Sequence, residues 1–149
     1  MKNKIGIVGQ GFVGTAVREG LKQYFQIETY DITKQCTCKS LDEIVEKSDV
    51  VFVCLPTPMM KNGKCWVGIV EGVLSEINTL NKCNTIIVKS TIPPGTTEEW
   101  NKKFDNIQIV FNPEFLTEAN SLEDFKNQNR IIIGGPRPAS TKVKRIFDK

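Results

Sequence analysis

The chain has 149 residues, 40% of them hydrophobic and 25% charged, which suits one compact domain and excludes a disordered chain. Its 20 basic and 17 acidic residues leave a net charge of +3, and the longest basic cluster, "KVKR", is too short to argue for nucleic acid. No apolar run approaches a membrane span, and "MKNKIGIVGQG" reads as a strand instead of a signal peptide.

The cysteines Cys36, Cys38, Cys54, Cys65 and Cys83 make no C-x-x-C pair, and the chain has no histidine. No metal site is therefore expected, and the thiols are expected to be reduced, in a cytoplasmic setting. Without histidine, acid–base work falls to Glu, Asp, Lys or a thiol.

Strand and helix patterns alternate along the chain. "KIGIVG" is a short apolar run closed by glycine, and "FVGTAVREGLKQY" has helical spacing through Val13, Val17, Leu21 and Tyr24. "QIETYD" reads as the second strand. In "SLDEIVEKS", Ser40 and Glu43 form a capping box ahead of a short helix. "DVVFVCLP" is the third strand, and the helix after it carries Ile69, Val70, Val73, Leu74, Ile77 and Leu80 on one face. "NTIIVKS", "IQIVF" and "RIIIGG" complete six expected strands. Runs this uniformly apolar are buried on both faces, so the expected fold is a doubly wound α/β Rossmann-type domain. Its sheet would be six-stranded and mainly parallel, with helices on both faces. Residues 1–135 would form this domain, and residues 136–149 would begin a helix, with Val143, Ile146 and Phe147 on one face.

In "IGIVGQGFVG", Gly9, Gly11 and Gly14 make a G-x-G-x-x-G pattern that follows a strand and opens a helix. The first glycine permits a tight turn, the second lets backbone approach a pyrophosphate, and the third lets helix pack on strand. Phe12 and Val13 open that helix, whose free N–H groups and dipole suit phosphates. Asp31 closes the second strand, 20 residues after Gly11, where a carboxylate accepts the ribose hydroxyls and repels a 2′-phosphate. NAD is therefore the expected cofactor, with Lys34 as a weak counterweight. The alternative is that the glycines serve only a turn and Asp31 is a solvated strand end.

Ligands on such a sheet bind beyond the carboxyl ends of the strands, so the loops "CLPTP", "KSTIPPGT" and "NPEFLTE" should rim one crevice. Glu114 and Glu118 lie four residues apart in the last of these. From the residues alone they are equally a site pair or solvated carboxylates at a helix start. With "GQGFVG" and "NRIIIGG", these loops resemble, in order, the N-terminal domain of the UDP-glucose/GDP-mannose dehydrogenases.

The resemblance covers essentially the whole chain but only the first domain of that family. It implies two NAD-dependent oxidations of a nucleotide-sugar C6 alcohol to a carboxylate, the second through a cysteine thioester hydrolysed by water. It implies that Thr91 helps hold that water beside the cofactor, and that Glu114 serves hydrolysis and the substrate loop. Phe115 and Leu116 would lie along the nucleotide sugar, and Glu118 would reach toward the cofactor and a catalytic lysine. Thr57 and Pro58 would run under the cofactor.

The family's nucleophilic cysteine, catalytic lysine and oxyanion-stabilising asparagine match nothing in these 149 residues, and none of the five cysteines stands at the nucleophile's position. Thr117 replaces a common arginine, Met59 a second threonine and Cys36 a basic residue, and the connection after Asp31 is short. The expectation is a UDP-glucose-class dehydrogenase's NAD-binding part that does not turn over alone and needs a second domain or a partner chain. The competing reading is a stand-alone NAD(H)-binding module without turnover. A small dehydrogenase of the hydroxyisobutyrate type is a third, opposed by the "NPEFL" loop.

Overall fold

The computed structural model describes residues 3–149; Met1 and Lys2, the start of the "MKNK" lead-in, lie outside the described residues. The elements run β1 (Lys4–Val8), α1 (Phe12–Leu21), β2 (Gln26–Tyr30), α2 (Leu41–Lys47), β3 (Val50–Val53) and α3 (Gly68–Leu80). They continue with β4 (Thr85–Val88), α4 (Thr96–Lys103), β5 (Gln108–Phe111), α5 (Ser121–Lys126) and α6 (Ala139–Phe147). The strands form a parallel sheet in the order β2-β1-β3-β4-β5.

Strand periodicity divides the core in two. Val51, Val53, Ile86, Val88 and Ile109 point to the face covered by α2, α3 and α4, against Ile44, Leu74, Ile77 and Trp100. Val50, Phe52, Ile87 and Val110 point to the other face, against Val17 and Leu21 of α1, Phe125 of α5 and Val143 of α6. Burying each such large aliphatic or aromatic side chain contributes about 1.5–3 kcal/mol. Helices cover both faces, as the continuous apolar strands require.

Two expectations need revision. Among the described residues the sheet has five strands, and "RIIIGG" is not the sixth: Ile131 and Ile132 are 37% and 48% exposed, and of this run only Gly134 pairs, antiparallel, with Phe111. The reason lies at the outer edge of β5. Both outward groups of Ile109 are taken by the Asn101 side chain, which accepts from Ile109 N–H and donates to its carbonyl, each at 2.8 Å. A sealed edge offers no ladder for another strand. In α1, the residues buried are Gly14, Ala16, Val17, Gly20 and Leu21, while Tyr24 lies beyond the helix end and is 46% exposed. Small residues let α1 approach its neighbours; a Cβ on Gly20 would sit 2.2 Å from the Phe125 ring.

Of the expected capping box the Ser40 half forms, with Glu43 N–H donating to Ser40 Oγ at 3.1 Å, while the Glu43 carboxylate accepts from Lys39 N–H at 2.7 Å, one residue before the N-cap. The apolar stripe of α6 packs back on its own sheet through Val143 and Ile146, and Phe147 meets Phe52 edge-on at 6.3 Å.

Candidate functional site

The parallel ladder continues one residue past each strand on the carboxyl side. Gly9 N–H donates to Tyr30, Cys54 to Val8, Lys89 to Val53 and Asn112 to Val88, all at 2.8–3.0 Å. Four loops therefore leave the sheet side by side at one level. They rim a crevice of about 720 Å³.

At its centre β1 and β3 adjoin, where the order of the strands reverses. Gly9 has φ +93°, and a Cβ there would meet the Cys54 carbonyl oxygen at 2.2 Å, so only glycine fits. Gly14 presses against the same turn, its missing Cβ 1.9 Å from the Gly9 oxygen. Gly11 differs, with nothing within 4 Å of a Cβ. That open space lies at the start of α1, whose first turn receives no side-chain cap. Free N–H groups, a positive helix end and an unobstructed approach are what a pyrophosphate requires.

Asp31 stands at the end of β2. Its carboxylate accepts from Gln10 N–H at 2.8 Å, Thr33 N–H at 2.8 Å and Thr33 Oγ1 at 2.9 Å. Burial pushes its pKa up, but these donors outweigh burial and hold it below the ordinary carboxylate value. The charged carboxylate faces the crevice beside Ile32, which is 88% exposed. Lys34 reaches across from the same loop to donate to the Gln10 carbonyl.

The far wall is stitched together by hydrogen bonds. Leu55 N–H donates to Ser90 Oγ at 3.0 Å, and Thr57 Oγ1 to the Thr91 carbonyl at 2.6 Å, so the loops after β3 and β4 are tied together. Ile69 and Val73 of α3 give this wall an apolar lining. Glu114 enters from the loop after β5, and burial raises its pKa, offset in part by its own backbone N–H and by Lys89. Cys54 is partly buried at the same place, its thiol pushed up to about 12 by desolvation, which makes it a poor nucleophile.

The structure thus brings together Gly9, Gly11, Phe12, Val13, Asp31, Thr57, Thr91 and Glu114. Gly14 supports the turn from behind. Pro58 is exposed, its carbonyl bonded by Trp66 N–H at 2.9 Å, outside the crevice lining. Phe115 and Leu116 lie past the rim: Phe115 stacks under the Arg130 guanidinium at 4.6 Å, and Leu116 turns to the α1-side core. Glu118 is exposed and takes no part in the lining. Thr117 ties its loop to α5, donating N–H and Oγ1 to Asp124 at 2.8 and 2.7 Å.

Gln10, Ser90, Lys89 and Asn112 also hold the site together, and no motif in the sequence marks them for it. Lys89 carried a signal, a charged residue directly after the fully buried run "TIIV".

A doubly wound parallel sheet with a glycine turn at its switch point and a carboxylate closing β2 defines a dinucleotide-binding domain. Residues 17–149 match the NAD-binding domain of the UDP-glucose/GDP-mannose dehydrogenase family, and the chain belongs to that family, with NAD as its cofactor. The glycine turn precedes the matched span. The UDP-glucose 6-dehydrogenase of Streptococcus pneumoniae is 29% identical over 174 aligned positions, covering 97% of this chain and 44% of the relative. A UDP-glucose dehydrogenase of Pyrobaculum islandicum superposes with a TM-score of 0.86 at 22% identity, covering 99% of this chain and 44% of that one. For a GDP-mannose dehydrogenase of Pseudomonas aeruginosa the TM-score is 0.85 at 22% identity, covering 97% and 44%. The chain therefore spans less than half the length of these relatives. Among the described residues, no helix is long and apolar enough to cross a membrane.

Proposed function

We propose that this chain is the cofactor-binding part of a nucleotide-sugar 6-dehydrogenase of the UDP-glucose class, converting a C6 primary alcohol to a carboxylate. The observation that carries the reading is the convergence of the loops after β3, β4 and β5 on one crevice, facing the glycine turn. Bound NAD would supply the hydride acceptor, held by the backbone at Gly9 and Gly11, with Asp31 on the ribose hydroxyls.

The remaining work belongs to the chain's own side chains. Glu114 is half-buried, and burial favours its protonated form, so it can take a proton from water and return it. Thr91, tied to Thr57 at the rim, would place that water. Phe115 and Leu116 would offer their loop to the nucleotide sugar. Glu118, exposed beyond the crevice, would meet groups contributed from outside these 149 residues. In the same reading α6, though packed on its own sheet, leads toward those groups, held in a second domain or a partner chain. The five free thiols support a reducing, cytoplasmic setting.

The test is a mixture of the chain, NAD and UDP-glucose, followed by absorbance for NADH and by NMR for binding. Bound NAD, UDP-glucose shifts confined to residues 112–118, and no NADH formed are expected. NADH production by the chain alone would contradict the division of labour. Bound NAD with no response to any nucleotide sugar would favour a cofactor-binding module instead.

A further inference from the structure

Lys89 is the one lysine that the fold puts in its interior among the described residues, 2% exposed at the carboxyl end of β4. An isolated buried ammonium is costly, so such a group is retained only with compensation. Its Nζ donates to Asn112 Oδ1 at 3.0 Å and lies 5.9 Å from the centre of the Phe125 ring. Both contacts favour the charged form, the carbonyl oxygen by accepting and the ring through its quadrupole. Three N–H donors are available and one protein acceptor is used.

The neighbours of Lys89 are the parts that must hold still if the crevice is to work. Asn112 opens the loop to Glu114, and its Nδ2 donates to the Ile132 carbonyl at 2.8 Å. Lys89 and Asn112 leave adjacent strands at one level, each held by a ladder bond. Phe125 fixes α5 against Gly20 of α1. The ionisable groups facing Lys89 are Cys54 from β3's end and Glu114 from β5's end, and both line the same crevice. Cys54 stays neutral, so Glu114 is the charge that Lys89 answers.

We propose that Lys89 is a positioning residue of this site: its buried ammonium locks the 112–114 turn through Asn112 and supplies the positive field that faces Glu114. The proposal rests on the reading of Glu114 given above. Burial raises the pKa of Glu114 and lowers that of Lys89, and each is partly returned by the other's charge. Removing either charge should therefore drive the survivor further from its ordinary value.

The test is an NMR titration of the Glu114 carboxyl carbon in the wild-type chain, Lys89→Met and Lys89→Arg, with the fold checked from the amide spectrum. Lys89→Met should raise the Glu114 midpoint by about one pH unit and shift the amides of residues 112–114 and 132. Lys89→Arg should restore the midpoint. A midpoint unchanged in a folded Lys89→Met chain would overturn the proposal. If Lys89→Met does not fold, the Lys89 Nζ titration is compared between wild type and Glu114→Gln. A fall of about one unit in Glu114→Gln supports the coupling, and no change overturns it. NADH is added to the same samples: coupling without NADH binding would leave the role of Lys89 standing and remove the cofactor reading.

Discussion

Gly11→Ala and Gly14→Ala separate what the glycine turn does for folding from what it does for binding. At Gly14 an added methyl would lie 1.9 Å from the Gly9 carbonyl oxygen and 2.9 Å from its carbon. Backbone cannot swing aside as a side chain can, so α1 must shift off the turn. Overpacking of this kind costs about 1–3 kcal/mol, and in a domain of this size that lowers Tm by roughly 3–10 °C. At Gly11 the methyl meets no atom within 4 Å, and φ of −72° suits any residue. The entropy gained from Gly→Ala, about 0.4–1 kcal/mol, is offset by the poorer N-cap that alanine makes. Gly11→Ala should therefore move Tm by no more than about 3 °C, yet its methyl would fill the approach proposed for the pyrophosphate. An affinity loss of at least about tenfold, or 1.4 kcal/mol, is expected. Differential scanning fluorimetry and an NADH titration on the two variants give the four numbers. Equal Tm losses, or unchanged affinity in Gly11→Ala, would refute the reasoning.

Asp31→Asn should weaken NADH and narrow its advantage over NADPH, since the carboxylate proposed to repel a 2′-phosphate is gone. The folded pKa of Asp31 lies below its unfolded value, so its contribution is full above about pH 4 and drains as pH falls through the folded value. Urea melts across that window should show a shallower acid loss in Asp31→Asn, and an identical slope would count against the hydrogen bonds from Gln10 and Thr33. Ile146→Ala removes a buried α6 contact and should cost about 2–4 kcal/mol in urea unfolding; a change under about 0.5 kcal/mol would mean that α6 does not pack on this sheet. In native alkylation followed by mass spectrometry, the partly exposed Cys36 and Cys65 should label first. Cys38 and Cys83, buried and with raised pKa, should label only on unfolding, while Cys54, partly exposed but with its thiol pushed up to about 12, should label slowly in the folded chain. Labelling of Cys54 as fast as that of Cys36 would contradict its raised thiol pKa.

The sequence made the site's frame legible because its signals are local. Gly9, Gly11 and Gly14 carry their geometry in their spacing, and Asp31 follows at the expected distance. Runs such as "VVFV" and "TIIV" declare buried parallel strands through their uniform apolarity. "RIIIGG" sends the same signal falsely, because what denies it a ladder is the Asn101 side chain, distant in sequence and polar in an exposed-looking helix. Lys89 is only half legible for a related reason: its place after "TIIV" flags it, but nothing local says that it turns inward to Asn112 instead of outward to water. The division of the 112–118 loop was hidden. Glu114 faces the crevice while Phe115, Leu116 and Glu118 leave it, and that depends on Arg130 and Asp124, contributed by later segments.

The central claim is a working NAD site with the ribose read by Asp31. Trp66 is 46% exposed in the loop after β3, whose Thr57 lines the crevice, so it can report bound NADH by energy transfer. A titration of the 149-residue chain with NADH, then NADPH, then NADH on Asp31→Ala tests that claim most directly. Saturable NADH binding, at least about tenfold weaker for NADPH and in Asp31→Ala, is the expected result. No saturation at millimolar NADH, or equal binding of both cofactors, would contradict it.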